Sequence, residues 1–437
     1  MREDWLHELA DFLRIPSVSA DPRHDSDVTR AAEWVAARVR YAGGSAEVRE
    51  QGRLVVGEIP ASTAAPAPTI LVYGHYDVQP PEPLELWETE PFEATVRGDW
   101  LHARGVADDK GQLWTQLKAA ELLAAERSLP VNLRIVCDGE EESGGETIAR
   151  FLAGDERGAD AAVVFDGWMK RRRVPELVVA TRGVIAIDVE VQTGARDLHS
   201  GHYGGTALNA VHALVEALGA LFPRGGRLPE PLRQGILPPS AEERAAWREL
   251  PPGEEELRKV GAPPLDERAA EEFYLRTWAE PSVDVNGIVG GKPGLRNTTL
   301  VSRAAANLTI RIAPGQDVQT VAEAAEVLLR AATPAGAALD IRWEGVPPGT
   351  TPADSEALRL AADALEGVFG RRPLLVRAGG TLPIVHALAE RRIPLVMLGL
   401  ALPESHTHSP NERMLLETLD LGVVAARELY VALATLS

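Results

Sequence analysis

Apolar residues recur at helical spacing at Trp5, Leu6, Leu9, Phe12 and Leu13, and Pro16 stops that helix soon after. Residues Ser26 to Tyr41 carry a second helical pattern, ended by Gly43-Gly44. Beyond it the pattern changes to short, predominantly apolar runs. These are Thr69–Tyr73 (TILVY), Leu133–Cys137 (LRIVC), Ala161–Phe165 (AAVVF) and Pro394–Gly399 (PLVMLG), with helical stretches such as Gln112–Ala125 between them. Strands greasy on both faces, alternating with helices, predict an α/β domain: a mostly parallel sheet covered by helices.

The middle of the chain reads differently. Val184–Val191 (VIAIDVEV) and Ala305–Ile312 (AANLTIRI) alternate apolar with polar residues, as half-buried strands do. Thr206–Phe222 has the apolar face of a long helix, and residues 223–266, rich in proline, glutamate and arginine, read as a surface excursion. Residues 183–346 are therefore expected to form an α+β domain inserted into the first, which would comprise 1–182 and 347–437. The α/β pattern returns at Ala353–Phe369 and closes with a helix near Asn411–Leu433.

Composition narrows the function classes. With 437 residues, 45% of them hydrophobic, the chain can bury more than one core. A net charge of −19 leaves no basic footprint for nucleic acid. No run of about 18 apolar residues is available to span a membrane, and the acid-bearing first residues are not a secretory signal. The single cysteine, Cys137, excludes an intrachain disulfide and suits a thiol-keeping compartment, so a cytoplasmic location is expected.

The chemistry lies where the apolar runs stop. TILVY is followed by Gly74-His75-Tyr76-Asp77, LRIVC by Asp138-Gly139-Glu140-Glu141-Glu142, AAVVF by Asp166, and PLVMLG leads to His406-Thr407-His408. A further stretch, RGVADDKG, places Asp108 and Asp109 before a helix. Taken singly, these are a surface turn, a solvated acidic face, a helix cap and a loop. Ligands of open α/β sheets, however, bind at the carboxyl ends of strands, so the residues should converge. Histidines and carboxylates together suit a borderline divalent cation, most simply zinc. Two histidines and at least three carboxylates exceed the needs of one tetrahedral ion. They suit two ions sharing a bridging aspartate, with one carboxylate left to act as base.

The stretches GHYDVQP, RGVADDKG, GEEESGGE, VFDG, DLHSGHYGG, RAGGTLPI and HTHSPNE, spread over residues 74–412, resemble those of the dinuclear zinc metallopeptidases. That family includes carnosine dipeptidases, aminoacylases and succinyl-diaminopimelate desuccinylases, and DLHSGHYGG with GGTLPI is most similar to the dipeptidase branch. The resemblance implies a catalytic domain with an inserted lid that also dimerises. It implies metal ligands His75, Asp108, Glu142, Asp166 and His408, with Asp108 bridging two ions and His75 and Asp166 sharing one of them. Glu141 would be the general base, and Asp77 would orient His75. In the inserted domain His199 would polarise the scissile carbonyl of the partner subunit's site. Arg311, Gly380 and Thr381 would hold the substrate carboxylate. A cis peptide between Asp108 and Asp109 is implied as well. The extra Glu140 leaves a one-residue register shift open, and His406 stands beside His408 as a competing ligand.

The expected protein is a cytoplasmic, homodimeric metallopeptidase hydrolysing short peptides, most simply dipeptides, with zinc, manganese or cobalt as its two ions. An N-acyl-amino-acid deacylase on the same scaffold breaks the same bond type and is the alternative. A catalytically silent binding protein would show a lost ligand or base, and none is lost.

Overall fold

The four apolar runs become the middle of one sheet. In a computed structural model describing residues 1–436 except 64, 65, 293 and 295, the strands Asn132–Asp138, Thr69–His75, Ala161–Phe165 and Leu395–Leu398 lie side by side in that order, all parallel. Leu54–Ile59 and Ser45–Arg49 extend the sheet antiparallel beyond Asn132–Asp138. Almost every residue of the four strands is buried, which is why they carry no polar alternation. The helices Asp25–Tyr41, Lys110–Ala125, Glu356–Phe369 and Leu416–Leu433 pack on the sheet and on one another, closing a single core with the strands. From Thr69–His75 the chain goes first to one neighbour, Asn132–Asp138, and then back across to the other, Ala161–Phe165. This reversal puts a crevice at the carboxyl end of Thr69–His75, where open α/β sheets bind ligands.

The chain divides into two compact units. The first, just described, comprises residues 1–179, 351–376 and 387–437; the second comprises 180–350 and 377–386. In the second, Ser282–Val289, Arg303–Ile312, Gly183–Gln192 and Ala338–Val346 form an antiparallel sheet in that order. Ile185, Ile187, Val189 and Val191 point into its core, beneath the helices Ala210–Gly219 and Val318–Ala332, and alternate with more exposed residues. Segment 377–386 joins this unit through several ties, among them a buried ion pair of Arg377 with Glu243 and a hydrogen bond that Thr381 donates to the Arg182 carbonyl.

Some elements differ from the pattern-based expectation. The helix expected over Thr206–Phe222 is shorter, Ala210–Gly219, because the Asn209 side chain accepts the Val211 amide and caps it late. The excursion at 223–266 carries helices Ala241–Trp247 and Gly253–Lys259, the first opened by a Ser240/Glu243 capping box. The last helix begins at Leu416, not near Asn411, because Arg413–Leu415 pairs as a strand with Trp100–His102.

Candidate metal centre

Two groups of side chains meet at the carboxyl end of the parallel strands. His75, Asp108 and Asp166 form one, and Asp108, Glu142 and His408 the other; within each, the potential ligand atoms lie within 4.8 Å of one another. Asp108 belongs to both, and its two oxygens are divided between them. His75 Nε2 donates to Oδ1 at 2.9 Å, and His408 Nε2 lies 2.9 Å from Oδ2 and 3.3 Å from Glu142 Oε2. One carboxylate facing two histidines from opposite oxygens is the arrangement a bridging ligand requires.

The local sequence explains how each group is held. Gly111 of the DDKG turn packs so tightly that a Cβ there would meet the Val106 carbonyl oxygen at 2.0 Å. The acidic run ends in Gly144 and Gly145, both at positive φ, which turn the chain into the helix Glu146–Ala153. The Asp108–Asp109 peptide is cis, as the resemblance implies. His406, His408 and Asn411 all adopt left-handed φ values, a conformation that costs a non-glycine residue on the order of 1 kcal/mol and persists only where surroundings impose it.

The charged groups of the two clusters perturb one another strongly. Burial works against the charge of Asp108, but hydrogen bonds from His408 and His75 outweigh it and hold its carboxyl below the usual carboxylate range. The same bonds to Asp108 and Glu142 push His408 up to about 10. Burial raises Asp166 well above its ordinary value and pushes Glu141 up to about 7. Glu142 Oε1 and Asp166 Oδ2 are buried without a hydrogen-bond partner. Buried carboxylate oxygens are costly to leave unmet, and together with the two-histidine, three-carboxylate donor set they fit divalent cations.

The structure also separates the neighbouring candidates. His408, not His406, reaches Asp108 and Glu142. In the acidic triplet, Glu142 lies with the ligand groups, while Glu140 Oε1 accepts the Thr147 amide near the start of the following helix. Asp77 Oδ1 lies 3.2 Å from His75 Nδ1, and its two oxygens also accept the Glu141 and Glu142 amides at 3.2 and 3.0 Å. It thus faces the ring of His75 and pins the acidic run, a second task its spacing did not reveal. Asp109, seemingly spare in DDKG, is buried and accepts the His75 amide at 3.1 Å. Gln79 donates to Glu142 Oε2 at 2.7 Å. Gln112 bonds the Ala107 and Gly167 carbonyls and the Leu400 amide, tying three loops together. An ordinary glutamine at a helix start carries no signal of that.

In the second unit Arg311 Nη1 donates to Thr381 Oγ1 at 3.0 Å, and Gly380 stands open beside it. Arg182, passed over in the sequence, lies close to Arg311; burial first, then that neighbouring charge, lowers its guanidinium to about 10. Two arginines and a hydroxyl form a basic cluster suited to a carboxylate. His199 is exposed, its Nδ1 accepting the Gly201 amide and its ring 4.7 Å from that of His202.

Comparison with known proteins points the same way. A family model described as peptidase family M20/M25/M40 matches residues 71–431. A cysteinylglycine-S-conjugate dipeptidase of Corynebacterium striatum is 28% identical over 427 residues, covering 94% of this chain and 91% of that protein. An M20 family metallo-carboxypeptidase from Sulfolobus solfataricus superposes with a TM-score of 0.84 at 25% identity, over 99% of this chain and 100% of that one. Human carnosine dipeptidase 1 has the same fold, with a TM-score of 0.74 at 24% identity over 99% and 97% of the two chains.

Proposed function

Because the chain belongs to peptidase family M20/M25/M40, and is thereby a peptide hydrolase, we propose that it cleaves dipeptides with the help of two divalent cations. His75, Asp108 and Asp166 would hold one ion and Asp108, Glu142 and His408 the other, zinc first and manganese or cobalt as substitutes. The division of the Asp108 oxygens between two histidines carries this assignment. Such cations supply Lewis acidity, polarising a carbonyl and lowering the pKa of water from 15.7 to roughly 7. Glu141 is the general base: it takes the proton of the attacking water and delivers it to the leaving amine. Its burial raises its proton affinity toward neutrality, and nearby cations would draw it back down. Asp77 keeps the His75 ring and the Glu141 backbone in place. Arg311 and Thr381, with Gly380, receive the carboxylate of the substrate. The buried thiol of Cys137 accords with a cytoplasmic setting, and no helix among the described residues is long and apolar enough to cross a membrane.

A substrate panel tests the specificity. Dipeptides are expected to turn over fastest, ahead of N-acetyl and N-succinyl amino acids and of tripeptides. Preference for the N-acyl compounds would make the enzyme a deacylase. Release of the C-terminal residue from tripeptides and longer peptides, faster than any dipeptide is cleaved, would make it a carboxypeptidase, the second reading favoured by the Sulfolobus likeness.

His199 is assigned to the partner subunit's reaction, polarising its scissile carbonyl within a two-fold dimer. Glu141→Ala and His199→Ala should each be nearly inactive alone. Co-expressed, half of the randomly assembled dimers are mixed and half of their sites are intact, so about a quarter of wild-type activity should return. Mixed dimers that form and stay as inactive as the single mutants would remove His199 from this role.

A further inference from the structure

Glu412 lies four residues after His408 and is fully buried, yet it is outside the ligand set. Its carboxylate is met by four donors. Oε2 accepts from Arg104 Nη1 at 2.7 Å and from the Gly105 amide at 3.0 Å, and Oε1 from the Ala107 and Asp108 amides at 2.8 and 3.2 Å. Every backbone donor belongs to the turn that ends in Asp108. The Glu412 carbonyl in addition accepts the Ala103 amide, and Arg413–Leu415 continues as a strand beside Trp100–His102. On its other side the segment leads back through left-handed Asn411 to left-handed His408. Asn411 is itself clamped by the Glu88 amide and the Leu86 carbonyl. The segment bearing His408 and the turn bearing Asp108 are more than 300 residues apart in sequence, and this one carboxylate fastens them together.

We propose that Glu412 is a positioning residue of the metal centre, setting the Asp108 carboxylate and the His408 ring in register before any ion arrives. The inference rests on the metal-centre assignment made above. A carboxylate suits the task because it only accepts hydrogen bonds, and all four groups around it donate. A glutamine of the same shape would turn an NH2 group toward some of those donors and leave them unmet. The backbone ties at Ala103 and along Arg413–Leu415 would remain, but the turn at residues 105–108 would be freed from the His408 segment, and the second set of donors would no longer be held at ligand spacing. Groups that orient metal ligands typically change metal affinity by 10–100-fold when replaced.

The test measures zinc affinity directly, by titrating metal-free protein in competition with a chromogenic chelator, without turnover. Glu412→Gln is expected to weaken zinc binding by about 10–100-fold. Glu412→Asp keeps the charge but draws the carboxylate back from the turn, and should weaken it as well. Glu243→Gln is the control. It damages an equally buried ion pair, with Arg377 in the other unit, and should lower the melting temperature while leaving zinc affinity unchanged. A folded Glu412 variant with wild-type zinc affinity overturns the proposal, and so does loss of the fold in both Glu412 variants, which would assign the residue to stability alone. Wild-type protein that takes up no zinc would overturn the metal centre itself, a distinguishable failure.

Discussion

Glu141→Gln is expected to lower turnover by roughly 10²–10⁴ while zinc content stays that of the wild type. Glutamine keeps the shape and the hydrogen-bonding reach of the side chain but cannot take a proton from water. The loss should therefore fall on kcat, with KM little changed, as for an interaction made only in the transition state. Metal should remain because Glu141 lies outside both ligand groups, and because its backbone is held independently of its carboxylate, through the amide bonded to Asp77. Glu142→Gln should do the reverse, shedding metal first and activity as a consequence. The pair of variants, assayed for turnover and for zinc by atomic absorption, decides the register of the acidic run. If Glu141→Gln loses zinc and Glu142→Gln keeps it, the two roles are exchanged.

Removal of metal is expected to abolish activity, and added zinc or manganese to restore it. Without the cations their Lewis acidity is lost, and protons that His75 and His408 direct at the Asp108 carboxylate stand where metal would bind. Reloading must displace those protons, because a histidine binds metal in its neutral form. With His408 raised to about 10 by Asp108 and Glu142, uptake competes with protonation across the neutral range. Zinc affinity should accordingly fall as pH falls and rise as pH rises. Isothermal titration in two buffers of different ionisation enthalpy would report the proton release directly. Full activity in a sample verified as metal-free would refute the proposed chemistry.

Much of the fold was legible because its causes are local. Strands buried on both faces are dominated by apolar residues, so TILVY, LRIVC, AAVVF and PLVML announce a parallel sheet wherever they stand, the one charge among them, Arg134, being buried against Asp155. Helix lengths and ends were less legible where side chains overrode the apolar pattern. Asn209 starts its helix later than the pattern does, and pairing with Trp100–His102 converts Arg413–Leu415 from helix to strand. The excursion at 223–266 looked like surface because its residues are polar, yet Glu243 is buried there against Arg377. A buried carboxylate is distinguished from a solvated one only by a partner far away in the chain.

The same division holds at the site. The sequence by itself determined which residues could act: three of the parallel strands run directly into a histidine or carboxylate, the fourth leads to His406 and His408 through a short loop, and parallel strands share one carboxyl edge, so their convergence follows from topology. Only the tertiary structure decided among equivalent neighbours. It brings His408 rather than His406 within reach of Asp108 and Glu142, and it leaves Glu142 rather than Glu140 among the candidate ligand groups, Glu140 accepting a backbone amide instead. It alone disclosed Gln112, Arg182 and Glu412, whose tasks are hydrogen bonds and charge contacts to distant segments. Residue type records what a side chain can do chemically; which partner it meets is a matter of ångströms set by chain segments hundreds of residues apart.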